Sequence, residues 1–209
     1  MKYFFSILCA IAFLGTAMAQ DIELPQPNLE PGMSLNEALM IRKTDRNYIP
    51  EDVPLEQLSH VLWCAYGINR PESHRRTVPS ARNVQEMDLY VMSKTGVYRY
   101  DTEKNLLLFI KSGDFRSKIS SQEHFAVAPY AIVIVADAKK LDSFPDDLID
   151  FYMGVDCGYV SQDIYLAAAA DGLGTVACGA IDRKALTDIL NLSKTQKIML
   201  AHPLGFVAR

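Results

Sequence analysis

Apolar residues along this 209-residue chain change spacing several times, and each change marks an element. Ser34-Leu35-Asn36-Glu37 is a capping box, which predicts a helix with Leu35, Ala38, Leu39 and Ile41 on its inner side. Behind Pro54, the helical spacing of Leu55, Leu58, Val61, Leu62 and Ala65 predicts a second helix, stopped at Gly67. The pattern then turns to β-branched and aromatic runs at 87–92, 97–100, 106–110 and 130–136, read as strands, with Thr95-Gly96 as a hairpin turn. Residues 114–123 are polar and fit either an exposed helix or a lid. A long helix follows over 146–171, ended by Gly172-Leu173-Gly174. Gly154, Gly158 and Ala167 to Ala170 make it small-sided, so a neighbouring helix can approach closely. Such a helix serves equally as a dimer core or as the central helix of a monomer. A short strand at 175–180, a helix capped by Asp182 and a last strand at 198–206 complete the pattern. Strands that neighbour one another early, with helices between the later ones, predict an α+β fold.

The N-terminus alters the setting. Lys2, an apolar run over 3–14 and Ala17-Met18-Ala19 form a secretory signal, so residues 1–19 are expected to be cleaved and the mature chain exported to the periplasm or medium. Residues 20–33 hold Pro25, Pro27 and Pro31 and read as an extended arm before a single domain at 34–209. A net charge of −4 gives no electrostatic case for nucleic acid. Cys64, Cys157 and Cys178 match no disulfide framework or zinc spacing and read as small buried hydrophobes. His60, His74, His124 and His202 likewise lack metal-like partners, and His124 is the best substrate-side candidate.

Two blocks carry candidate chemistry. Arg42-Lys43-Thr44-Asp45-Arg46 gathers three cations and a hydroxyl, a set that grips a phosphate through charge-assisted hydrogen bonds. Taken alone, such a turn is more often plain solvated surface. Val78-Pro79-Ser80-Ala81-Arg82-Asn83 is a turn able to lie against a flat heterocycle.

With these come Leu62-Trp63-Cys64-Ala65-Tyr66-Gly67-Ile68, Gly96-Val97-Tyr98-Arg99-Tyr100, Gly172-Leu173-Gly174-Thr175 and Pro203-Leu204-Gly205-Phe206. In order and spacing, the set resembles the nitroreductase superfamily of FMN-dependent oxidoreductases, nearest the branch that includes peptide azoline dehydrogenases. The resemblance implies a mostly antiparallel central sheet flanked by helices, in an intertwined homodimer with two FMN sites. It implies that Arg42, Thr44 and Arg46, with Lys43, hold the FMN phosphate and flavin edge. Pro79 and Ser80 would lie against the ring from the other subunit, and Asn83 would contact the flavin. Cys178 and Gly179 would bring backbone amides to flavin N5 and O4, and Arg209 is the late cation for the phosphate. The flavin then carries the chemistry, and no side chain is cast as catalytic. A small-molecule acceptor and a membrane or protein electron donor are the expected partners, because nicotinamide cofactors are not a standing pool outside the cytoplasm.

The departures matter too. Arg82 stands where the family turn favours glycine, Glu86 where proline is frequent and Met87 where tryptophan is usual. The Lys-Tyr pair of azoline dehydrogenases occurs here only as Lys2-Tyr3 inside the signal, which argues against azoline oxidation. These departures leave a flavin-binding module without turnover as the rival reading.

Overall fold

The computed structural model describes residues 20–30 and 32–208; residues 1–19, where the signal is expected, Pro31 and Arg209 lie outside them. In chain order the elements are β1 (Ile22–Glu23), α1 (Leu35–Ile41), α2 (Leu55–Tyr66), β2 (Ile68–Arg70), β3 (Arg75–Arg76), β4 (Met87–Met92), β5 (Gly96–Asp101), β6 (Leu106–Ser112), α3 (His124–Val127), β7 (Tyr130–Asp137), α4 (Asp146–Ala170), β8 (Gly174–Thr175), α5 (Arg183–Leu190) and β9 (Gln196–Gly205). Seven strands form one sheet in the order β1-β6-β5-β4-β7-β9-β8. Every pairing in it is antiparallel. The α+β class with a flanked antiparallel sheet is the one expected.

Side-chain alternation along the central strands divides the core into two layers. Leu89 and Val91 of β4, with Ile132 and Ile134 of β7, face Leu58 and Leu62 of α2 and Met153, Val160 and Ile164 of α4. Tyr90, Met92, Val133 and Val135 face the other way, onto Ile119, Phe125, Leu186 and Leu190. The long helix therefore covers one face of the sheet and α5 with the 115–128 segment covers the other. The caps agree with the sequence: Ser34 and Glu37 bond reciprocally, and Asp182 accepts from the Ala185 N–H.

Four expectations change. The 20–33 arm contributes an edge strand, with Ile22 opposite Leu107, and Asn105 Nδ2 donates to the Pro25 carbonyl at 2.8 Å. The inner face of α1 is covered only in part: Ala38 is buried, while Leu35, Leu39 and Ile41 are 63%, 49% and 50% exposed. The polar 114–123 segment is stapled down rather than lid-like. Its Arg116 is buried, paired with Asp114 at 2.6 Å and bonded to the Ala128 carbonyl, so desolvating one cation fixes the loop. The expected 175–180 strand breaks after Thr175 and rejoins β9 only at a Cys178–Ala201 bridge. It breaks because the Ala177 N–H leaves the ladder to donate to Tyr165 Oη at 2.8 Å.

Candidate functional site

The cation turn grows out of the end of α1. Arg42 is its C-cap and turns out of helical geometry, donating its N–H to the Ala38 carbonyl at 2.8 Å. The chain then runs extended beside β8, with the Asp45 N–H on the Thr175 carbonyl at 3.0 Å. This approach needs Gly174, where an added Cβ would stand 2.9 Å from Asp45 Cβ and overlap the Val207 side chain. Tyr48 Oη donates to the Asp45 carbonyl at 2.9 Å and pins the far end of the turn.

Tyr165 of α4 organises the basic side chains. Arg42 lies over its ring with the guanidinium carbon 5.1 Å from the centroid, and Thr44 Oγ1 is 3.1 Å from its hydroxyl. The same hydroxyl accepts from Ala177, so one side chain ties the cation turn to the segment after β8. Arg46 is exposed and its charge reaches His124 and Cys178. Burial first, then Arg46, holds His124 below the ordinary imidazole range. Burial pushes the Cys178 thiol up, and Arg46 opposes it. Cys178 Sγ lies 3.8 Å from both Gln122 Oε1 and His124 Nε2. Arg42, Thr44, Arg46, Cys178 and Gly179 thus border one region, with His124 at its edge. Lys43 differs: its amine turns to Asp45 at 3.2 Å.

One expectation is corrected at Cys178. Its N–H donates to the Ala201 carbonyl at 2.8 Å, so that amide is committed to the sheet and does not serve a flavin. The Cys178 thiol faces the region instead, and among the described residues the Gly179 N–H has no acceptor.

The second turn stands elsewhere. Ser80 Oγ accepts from the Gln85 N–H at 3.0 Å, Asn83 Oδ1 from Gln85 Nε2 at 3.2 Å, and Pro79 is exposed. The Ala81 N–H donates to Asp156 Oδ2 of α4 at 2.8 Å. Positive φ occurs at Arg82 (51°), Asn83 (58°) and Gln85 (52°), so Arg82 does adopt the conformation that favours glycine. Its guanidinium rests 4.4 Å from the Phe144 ring centroid and donates to the Ser143 carbonyl, contacts that offset the strain. Asp156 and Tyr165 are nine residues apart, which at helical geometry is roughly 13 Å along the axis and half a turn around it. A single chain therefore carries the two turns on opposite sides of α4 and does not bring them together. Arg209 lies outside the described residues.

Sequence reasoning missed the residues that act through α4. Tyr165 and Asp156 were invisible because nothing local marks a helical residue that reaches a loop distant in sequence. Glu86 was visible only as a departure. It is fully buried beside Asp156, and its carboxyl oxygens have no hydrogen-bond partner among the described residues. Burial, then the Asp156 charge, pushes its pKa up to about 7.

Fold and sequence converge on one class of protein. The nitroreductase family profile matches residues 39–206, so the chain belongs to the nitroreductase family and is an oxidoreductase of that type. Among individual relatives, a nitroreductase homologue of Methanocaldococcus jannaschii is 28% identical over 198 residues, spanning 90% of this chain and 98% of that one. A nitroreductase homologue of Ralstonia eutropha with a crystal structure is 32% identical, superposes with a TM-score of 0.86 and shares 91% of this chain and 90% of its own. A chain of the E. coli McbBCD microcin synthetase complex shares the fold at 16% identity, with a TM-score of 0.70 over 100% of this chain and 85% of that one.

Proposed function

We propose that the protein is an exported, FMN-dependent oxidoreductase working as a homodimer on a small-molecule acceptor. The observation that carries the reading is the donor set at the end of α1. Arg42, held over Tyr165, and Arg46 offer charge to a phosphate, Thr44 offers a hydroxyl, and Gly179 offers an N–H. These groups fit a phosphorylated flavin. When bound, FMN supplies two-electron transfer in a ping-pong cycle between a donor and the acceptor.

The chain's own residues bind and orient. Tyr165 holds Arg42 and Thr44 together, so the clamp is set before the ligand arrives. His124, held neutral, and the Cys178 thiol present an uncharged, half-buried edge to an acceptor. The Pro79–Ser80 turn would come from the partner, since within one chain it stands across α4. Support for a partner is the partly uncovered apolar face of α1, with Phe151 and Tyr159 of α4 at 59% and 44% exposure. Gly154 and Gly158 also face open space, where a second helix can come close. Export rests on the signal at 1–19 and implies a membrane or protein electron donor.

The test is the visible spectrum of the purified mature protein. A flavin band with about one FMN per chain, bleached by a chemical reductant and restored by an acceptor, is the expected result. Flavin absent even after added FMN overturns the reading, and bound flavin that no reductant or acceptor cycles points to binding without turnover. Arg42→Ala is expected to lower FMN affinity at least tenfold, the worth of one charged phosphate contact.

A further inference from the structure

His60 and Cys64 stand one turn apart on α2, and Asp171 caps the end of α4 against them. The Asp171 carboxylate meets His60 Nδ1 with both oxygens, at 3.0 and 2.9 Å. On the other side of the ring, Nε2 is 3.4 Å from Cys64 Sγ. Gln57 Nε2 donates to the Asp171 backbone carbonyl at 2.9 Å and locks the cap to α2. The two ring nitrogens face opposite partners, so these groups form a relay and do not converge on one metal ion. Carboxylate, imidazole and thiol in sequence are the parts of an activated nucleophile: the acid orients the base and the base meets the sulfur. Asp171 first, then Cys64, raises His60 to about 10, so the ring is a cation at neutral pH and holds a proton toward the sulfur.

A cavity of about 760 Å³ opens beside Cys64 and His60, apart from Arg46 and Cys178. Trp63 forms part of its wall, and Glu30, Glu56 and Asp163 line it along with Asp171. Leu29, Met33, Leu35 and Leu166 make much of the rest apolar, burial raises Asp163 to about 6 and Asp171 is paired with His60, so Glu30 and Glu56 supply most of the unpaired negative charge. Thr77 and Gln57 also line it, and their buried Oγ1 and Oε1 have no hydrogen-bond partner among the described residues.

We propose that Cys64, with His60 and Asp171, is a thiol-exchange site that takes small disulfides carrying ammonium groups. Cys64 Sγ attacks one sulfur of the disulfide. Cys64 attacks as the thiolate paired with the His60 cation: a new Cys64 S–S bond forms as the old S–S bond breaks, and His60 gives its Nε2 proton to the departing sulfur, which leaves as a free thiol while the ring is left neutral. One disulfide is exchanged for another, and no outside oxidant enters. Ammonium groups on the ligand answer the charge of Glu30 and Glu56.

The experiment treats the mature protein at pH 6 with cystamine or with dithiodiglycolate, its anionic counterpart, and follows adducts by intact mass and peptide mapping. Expected is one adduct, at Cys64, formed with cystamine at least tenfold faster than on a cysteine in an unstructured peptide, and more slowly with dithiodiglycolate. His60→Gln and Asp171→Asn should each slow it tenfold or more while leaving the far-ultraviolet circular dichroism spectrum intact. Asp171→Asn keeps an acceptor for Nδ1, so it carries the test if His60→Gln misfolds. First labelling at Cys157 or Cys178, or a Cys64 rate that neither variant slows, overturns the site. Equal rates with the two disulfides overturn the ammonium preference. The readout needs no flavin, so it stands apart from the proposed function.

Discussion

Tyr165 of α4 touches the cation turn directly and Glu86 is buried beside Asp156 of α4, and each has a measurable consequence. Tyr165 accepts from Ala177 and meets Thr44, so Tyr165→Phe leaves a half-buried N–H unpaired and frees the clamp hydroxyl. The expected cost is about 1–2 kcal/mol in chemical denaturation, with weaker FMN binding by titration. Glu86 makes a pH prediction. Its folded pKa, about 7, lies above the ordinary 4.5, so the folded state binds the proton more tightly. Its contribution is fully present below about 4.5 and is lost as pH rises through about 7, on the order of 3 kcal/mol in total. Melting temperature should therefore fall between pH 5 and pH 7.5, and Glu86→Gln should flatten that slope. A slope unchanged by the substitution would rule out Glu86 as its source. No sequence rule marks either residue, because each acts across tens of positions in the chain.

At the scale of elements, spacing predicted where helices and strands lie but not which faces find cover. β4 falls on the predicted 87–92, and α4 ends one residue before the predicted 171, since caps and β-branched runs are local signals. The apolar face of α1 shows the limit: periodicity says a face is apolar, and only packing says what covers it. If that face meets a partner as proposed, Leu39→Glu, at a 49% exposed position on it, should leave circular dichroism unchanged while weakening the proposed self-association tenfold or more by sedimentation, with flavin content falling in parallel. Unaltered association would remove α1 from the proposed interface. Close approach of chain segments is equally non-local. Gly174→Ala must push a Cβ against Asp45 and Val207, so a loss of about 2 kcal/mol or more is expected in urea unfolding.

For the molecule as a whole, the antiparallel sheet between two helical layers and the nitroreductase family were both legible in the amino-acid sequence, because ordered blocks survive when single motifs are weak. The site was legible in part. Arg42, Thr44, Arg46 and Gly179 meet in one region, whereas Lys43 pairs with Asp45 and the Cys178 amide is spent on the sheet. Local pattern, charge and capping determine element positions, fold class and the presence of a cation turn, since these depend on neighbours a few residues away. Tertiary structure alone set the two turns on opposite sides of α4 and put the acid of Asp171 against His60 and Cys64. Those arrangements depend on how α1, α2 and α4 cross, and packing of side chains far apart in the sequence fixes that crossing.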